Sequence, residues 1–193
     1  MATLGEIEDA LNACREVGNE QFILLQCASV YPAAPELINL RSIDTMRAAF
    51  GCPVGLSDHT QGISVAVGAA ARGASAIEKH YTLSRQMKGP DHPFAIEPSE
   101  LKAMVAGVRE VEAALGDGIK RGPNQAEQME MYRFARRSLV ATVNVPKGTP
   151  LRREMMIAKR PGYGVKPKYV DLLVGRPAKV DIAADDVITW EMV

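Results

Sequence analysis

Helix and strand patterns alternate through residues 1–115, and the alternation opens on a helix with no strand before it. Thr3 and Glu6 form a T-x-x-E capping box, which places a helix start at the fourth residue. Leu4, Ile7, Leu11 and Cys14 recur at helical spacing, and Gly18 supplies a stop. QFILLQCAS is a short apolar run bounded by Pro32 and Pro35 and reads as a buried strand. Leu40, Ile43, Met46 and Phe50 mark a second helix closed by Gly51. PVGLSDHT is strand plus loop, ISVAVGAAARG a small-residue helix, and SAIEKHYTL a third strand. The last helix of this half is expected to be capped at Ser99, with Leu101, Met104, Val105, Val108 and Leu115 mostly on one face, and to end at Gly116.

Such alternation implies a parallel sheet with right-handed crossovers. Three parallel strands make a poor free-standing sheet, because parallel sheets are normally covered on both faces. A closed (β/α)8 barrel takes about 250 residues, and residues 1–115 supply only its last three βα units. The expected fold class is therefore α/β, a partial TIM barrel. Residues 116–133 turn polar, with Gly and Pro, and read as a linker. Residues 134–193 hold short segments broken by Gly and Pro, the texture of a small β-rich module.

The 23 Lys and Arg balance the 23 Asp and Glu, which leaves no electrostatic footprint for nucleic acid or an anionic membrane. No apolar run reaches the roughly 20 residues of a membrane span. Cys14, Cys27 and Cys52 have no metal-knuckle spacing, and a disulfide would leave one unpaired, so a cytoplasmic setting is expected. Walker, G-x-G-x-x-G and G-x-S-x-G motifs are absent, which gives no support to P-loop, dinucleotide or serine-hydrolase chemistry.

Strand alternation puts Ser57 with His59, and Glu78 with His80, on one face of their strands, at the C-terminal ends where βα proteins build sites. Two imidazoles from neighbouring strand ends could hold one divalent ion, with Asp58 or Glu78 as acceptor for a ring N–H. Hydrogen-bonded structural histidines are the alternative. Ser29 and Tyr31 end the first strand and face the same mouth, as phosphate or sugar contacts or as local turn-formers. Asp91 and His92 lie in the loop MKGPDHPF, which by itself is an ordinary Gly-Pro turn. Arg160 in KRPGYG reads as solvated surface charge when taken alone, and the Arg136–Arg137 pair equally as a solubilising face or as a linker docking charge.

Together LLQCASVYPA, NLRSIDTMRAAF, GLSDHT, AIEKHYTL, GPDHPFAIEP, RRSLVA, KRPGYG and LLVGR resemble the sialic acid synthase family in order and spacing, across essentially the whole chain. The resemblance implies a TIM barrel followed by a small antifreeze-like (SAF) domain. It implies condensation of phosphoenolpyruvate with N-acetylmannosamine or a related hexose, giving a nonulosonic acid and free phosphate. His59 and His80 match the family's metal ligands, usually serving Mn²⁺, with Mg²⁺ or Co²⁺ as alternatives. That ion would polarise the sugar aldehyde while C3 of phosphoenolpyruvate attacks it. Water then adds at C2, and phosphate leaves by C–O cleavage. Ser29 and Ser57 match contacts to phosphoenolpyruvate. The catalytic positions Tyr31, Glu78 and Asp91 match groups that hold the sugar. Arg160 matches an SAF arginine that reaches the N-acetyl end of the sugar from the partner subunit of a homodimer.

Gln26 stands where the family often has His, and Ser29 where some members have Asn. The resemblance also places MATL after the fifth barrel strand, so the expectation is a truncated, inactive portion of a synthase, weakly stable by itself or rescued by self-association. A synthase of legionaminic, pseudaminic or spore-coat type is the enzyme alternative. A non-catalytic SAF carbohydrate-binding module is the alternative from another class.

Overall fold

The capping box at the start of the chain is formed in the computed structural model, which describes residues 1–128 and 130–193. The Thr3 backbone N–H donates to Glu6 Oε2 at 2.7 Å, and Glu6 N–H donates back to Thr3 Oγ1 at 3.3 Å. This satisfies donors that helix α1, Leu4–Glu16, would otherwise leave unpaired. Strand β1 is Leu24–Cys27, helix α2 Ser42–Phe50, strand β2 Val54–Asp58, helix α3 Ser64–Ala71 and strand β3 Ile77–Lys79. Gly51 ends α2 in the left-handed conformation, φ 64°, that a residue without Cβ adopts most easily.

The three strands form a parallel sheet in the order β1-β2-β3. Gln26 lies opposite Leu56, and Ser57 opposite Glu78. Every residue of β2 is buried, whereas those of β1 are half-buried and those of β3 half-buried or exposed. A central strand of a parallel sheet should be apolar on both faces, and β2 behaves that way. Ile38, Ile43 and Leu56 are fully buried in one cluster with Val54 and Met46. Burying each such side chain stabilises by about 1.5–3 kcal/mol.

Helix α4, Pro98–Leu115, packs on α3. The small residues Ala66, Ala69 and Ala70 are buried on α3, and a Cβ on Gly107 of α4 would stand 3.1 Å from Val67 Cγ2. The close approach therefore depends on small residues on both helices. The cap of α4 differs from the expected Ser99. Glu97 occupies it and Pro98 follows in the first turn, where a fixed φ and a missing N–H cost nothing. The apolar stripe of α4 is also narrower than expected: Met104 is buried, but Val105 and Leu115 are exposed.

The chain divides into two compact units, Met1–Ile119 and Lys120–Val193. In the second, helices α5, Gln125–Gln128, and α6, Met131–Ala135, fall largely within the stretch read as linker. Strands β4, Ser138–Ala141, and β5, Met156–Lys159, pair antiparallel. Helix α7, Val170–Leu173, and isolated bridges such as Val145↔Ile182 complete the unit. Its core gathers Leu139, Val145, Leu151, Val165, Leu173, Ile182 and Ile188. Among the described residues no helix is long and apolar enough to cross a membrane.

Candidate active site at the strand ends

β2 and β3 run side by side, and the chain leaves both at their C-terminal ends carrying chemistry-bearing side chains. Ser57 and Glu78 are register partners, so the Ser57 hydroxyl donates to Glu78 Oε1 at 2.7 Å. Two residues further along each strand, the His59 and His80 ring centroids lie 5.2 Å apart. Ser57, His59, Glu78, Lys79 and His80 line one open cavity of about 210 Å³.

His59 is 6% exposed, and its Nδ1 lies 2.9 Å from the Ala28 carbonyl oxygen. A carbonyl only accepts, so Nδ1 carries the proton and Nε2 keeps its lone pair. That is the arrangement by which a backbone carbonyl orients a metal-ligating imidazole. The Cys27 sulfur lies 3.8 Å from the same nitrogen, a weak contact beside the carbonyl bond. The Tyr31 ring lies against His59 with centroids 4.1 Å apart and stands edge-on to His80 at 5.7 Å. Phe94 flanks His80 at 5.0 Å. The Asp91 carboxylate is 3.6 Å from His80 Nδ1, too long for a good hydrogen bond.

Asp58 does not serve the histidines. Its Oδ1 accepts from the Thr60 N–H at 2.9 Å and the Thr60 hydroxyl at 2.8 Å, while Oδ2 takes the Lys79 ammonium at 2.7 Å. Lys79 also donates to the Thr60 carbonyl at 2.6 Å. The Lys79 and Asp58 side chains are 3% and 0% exposed, a buried ion pair that ties the ends of β2 and β3 together. Glu78, the other acceptor considered, is engaged by Ser57. His92 is held by the Thr82 hydroxyl at 2.8 Å.

Six of the candidates thus come together: Tyr31, Ser57, His59, Glu78, His80 and Asp91. Ser29 is exposed beyond β1 and does not line the cavity. Arg160 belongs to the second unit, where its Nε donates to the Ala135 carbonyl at 3.0 Å. Lys79, Phe94 and the Ala28 carbonyl were not anticipated. Lys79 was legible in principle, because alternation places it with Asp58, away from Glu78 and His80.

The donor set suits a divalent ion. One imidazole has its outer nitrogen fixed by a carbonyl, a second stands beside it with a nearby carboxylate, and both belong to the residue type that most often binds such metals. Among the described residues no group of three or more His, Cys, Asp and Glu side chains is placed to hold a metal.

A parallel βα sheet with its polar cluster at the carboxyl strand ends, followed by a small β-rich unit, is an arrangement that part of a (β/α)8 barrel with an appended module would show. The NeuB family matches residues 1–120, the SAF domain matches residues 136–193, and the chain belongs to the NeuB family. It is 42% identical over 191 residues to an uncharacterized protein of Methanocaldococcus jannaschii, covering 99% of this chain and 56% of that one. It is 40% identical over 190 residues to the N,N'-diacetyllegionaminic acid synthase of Campylobacter jejuni, covering 97% and 56%. The crystal structure of the spore coat polysaccharide biosynthesis protein spsE from Bacillus subtilis is similar with TM-score 0.59 and 33% identity, over 100% of this chain and 58% of that one. The chain thus spans a little over half the length of these relatives.

Proposed function

We propose that the chain provides the metal- and sugar-binding part of a phosphoenolpyruvate-dependent nonulosonic acid synthase. The reaction joins C3 of phosphoenolpyruvate to the aldehyde carbon of an open-chain N-acetylhexosamine, adds water at C2, and releases phosphate by C–O cleavage. The observation that carries the reading is the His59–His80 pair, 5.2 Å between centroids, with the His59 tautomer fixed by Ala28. A divalent ion bound there, Mn²⁺ in our reading, supplies Lewis acidity toward a carbonyl oxygen.

The remaining work falls to the chain's own groups. Glu78 has Oε1 occupied by Ser57, which fixes the carboxylate and leaves Oε2 to accept from a sugar hydroxyl. Tyr31 and Phe94 lie against the imidazoles with ring faces and edges, and the exposed Tyr31 ring offers a surface for a sugar ring. Asp91, near His80 and largely exposed, is placed to meet a second sugar hydroxyl. Ser57 and Ser29 are assigned to phosphoenolpyruvate. Arg160 is assigned to the N-acetyl group of the sugar bound by the partner subunit of a homodimer. N-acetylmannosamine is the acceptor of the sialic acid reading. The Campylobacter jejuni relative favours a second reading, in which the acceptor is a diacetylated hexosamine.

The test is calorimetric titration of N-acetylmannosamine, and of a diacetylated hexosamine, into the chain with Mn²⁺ and phosphoenolpyruvate present. Hexosamine binding that requires Mn²⁺ and falls about tenfold in Glu78→Gln, the scale of one charge-assisted hydrogen bond, is the expected result. Binding indifferent to both contradicts the proposal, and the preferred sugar chooses between the two readings.

A further inference from the structure

The second unit holds a concave, strongly basic site that the proposed reaction does not use. A cavity of about 470 Å³ is lined by Tyr132, Arg136, Arg137, Lys166 and Lys168, with Ala135, Gly162 and Pro167 between them. This volume lies within the range of small-molecule pockets, about 300–1,000 Å³. Four cations and no carboxylate line it. Among the described residues none of the four is in an ion pair, although exposed cations elsewhere in the unit do find partners, Arg153 with Asp171 and Lys159 with Asp185.

The two walls are pinned independently of any ligand. One wall is the end of α6 running into β4, and the other is the segment from Gly162 to Lys168. Gly162 N–H donates to the Arg133 carbonyl at 2.6 Å, and Gly164 N–H donates to Ser138 Oγ at 2.8 Å. Leu139 N–H donates to the Val165 carbonyl at 2.8 Å. Gly162 packs so closely on Arg136 that a Cβ there would collide with the arginine backbone. The Arg136 guanidinium also lies 5.0 Å from the Tyr132 ring centroid, which limits its wandering. All four cations are exposed, so water screens their mutual repulsion, and a phosphate in the hollow would lower it further.

We infer that this cavity binds a small phosphate-bearing molecule, with Arg136, Arg137, Lys166 and Lys168 around the phosphate and Tyr132 and Pro167 against its organic part. Arginine forks and lysine ammonium groups are the side chains that recognise phosphate oxygens. Ala135 and Gly162 line the hollow as small, uncharged residues, and its volume leaves room for more than a bare ion. Its lining residues all belong to the unit Lys120–Val193, whereas the two histidines of the metal-binding proposal belong to Met1–Ile119.

The experiment is calorimetric titration of inorganic phosphate, glucose 6-phosphate and sulfate into the whole chain. It is run with the wild type, with Lys166→Gln/Lys168→Gln, and with Ser57→Ala as a control for phosphate at the strand ends. Both lysines are exposed, so the double variant keeps the core intact. Expected are tighter binding of glucose 6-phosphate than of sulfate, about tenfold weaker binding in the double variant, and unchanged binding in Ser57→Ala. Binding that is unchanged in the double variant, or no binding of the ester beyond that of sulfate, overturns the inference. A second variant, Arg136→Gln, tests the opposite wall and is expected to weaken the ester in the same direction.

Discussion

The Nδ1 nitrogen of His59 sits 2.9 Å from the carbonyl oxygen of Ala28, a residue of the neighbouring strand's exit. That bond fixes which nitrogen holds the proton, so the other is presented as a lone pair beside His80. Backbone geometry at the end of β1 thereby sets the chemistry of a side chain at the end of β2.

Ser57→Ala is expected to cost about 1 kcal/mol of stability, because a hydroxyl-to-carboxylate bond of 2.7 Å is lost while the exposed Glu78 carboxylate takes water in its place. Urea unfolding of the two proteins measures it. Mn²⁺ affinity should stay unchanged, since Ser57 does not touch either imidazole bond described above.

The Asp58–Lys79 pair predicts a marked non-additivity. Lys79→Met alone leaves Asp58 buried beside Thr60 without its cation, and Asp58→Asn alone leaves a buried ammonium without its carboxylate. Each single change is expected to destabilise by about 3–5 kcal/mol. The double variant should recover much of that loss, which a double-mutant cycle by chemical denaturation would read directly.

Acid should loosen the start of α4 through Glu100. The Arg85 guanidinium bonded to it, and then the Glu97 backbone N–H, hold its carboxyl below the usual carboxylate value of 4.5. A lowered folded value means that the contribution is fully present above the unfolded value and is lost as pH falls toward the folded one. Glu100→Gln should therefore be less stable than the wild type at neutral pH and converge with it under acid. Paired thermal melts across the carboxylate range check the sign.

Much of this arrangement was legible because it rests on local rules. The Thr3–Glu6 box is a four-residue pattern, and Gly51 closes α2 for a reason confined to one residue. Alternation along β2 and β3 paired Ser57 with His59 and Glu78 with His80, and parallel register did the rest. The same alternation sends Asp58 and Lys79 to the other side, so naming Asp58 as a partner of the histidines ran against the rule that found them. The true partner of His59, a main-chain carbonyl, has no signature, since every residue carries one. Ser99 looked like a cap by residue type, but Pro98 must sit in the first turn, which moves the cap to Glu97. Helices α5 and α6 were hidden by the polar, Gly- and Pro-bearing composition around them.

His59 and His80 together are expected to hold a divalent ion, and calorimetric Mn²⁺ titration reads that binding. The chain should take up Mn²⁺, and His59→Ala and His80→Ala should each weaken it by about 100-fold or more, beyond what loss of an outer partner alone costs. His92→Ala, whose ring is tied to Thr82, should titrate like the wild type. Mn²⁺ uptake that is the same in a His59→Ala/His80→Ala double variant would mean that these histidines do not hold the ion.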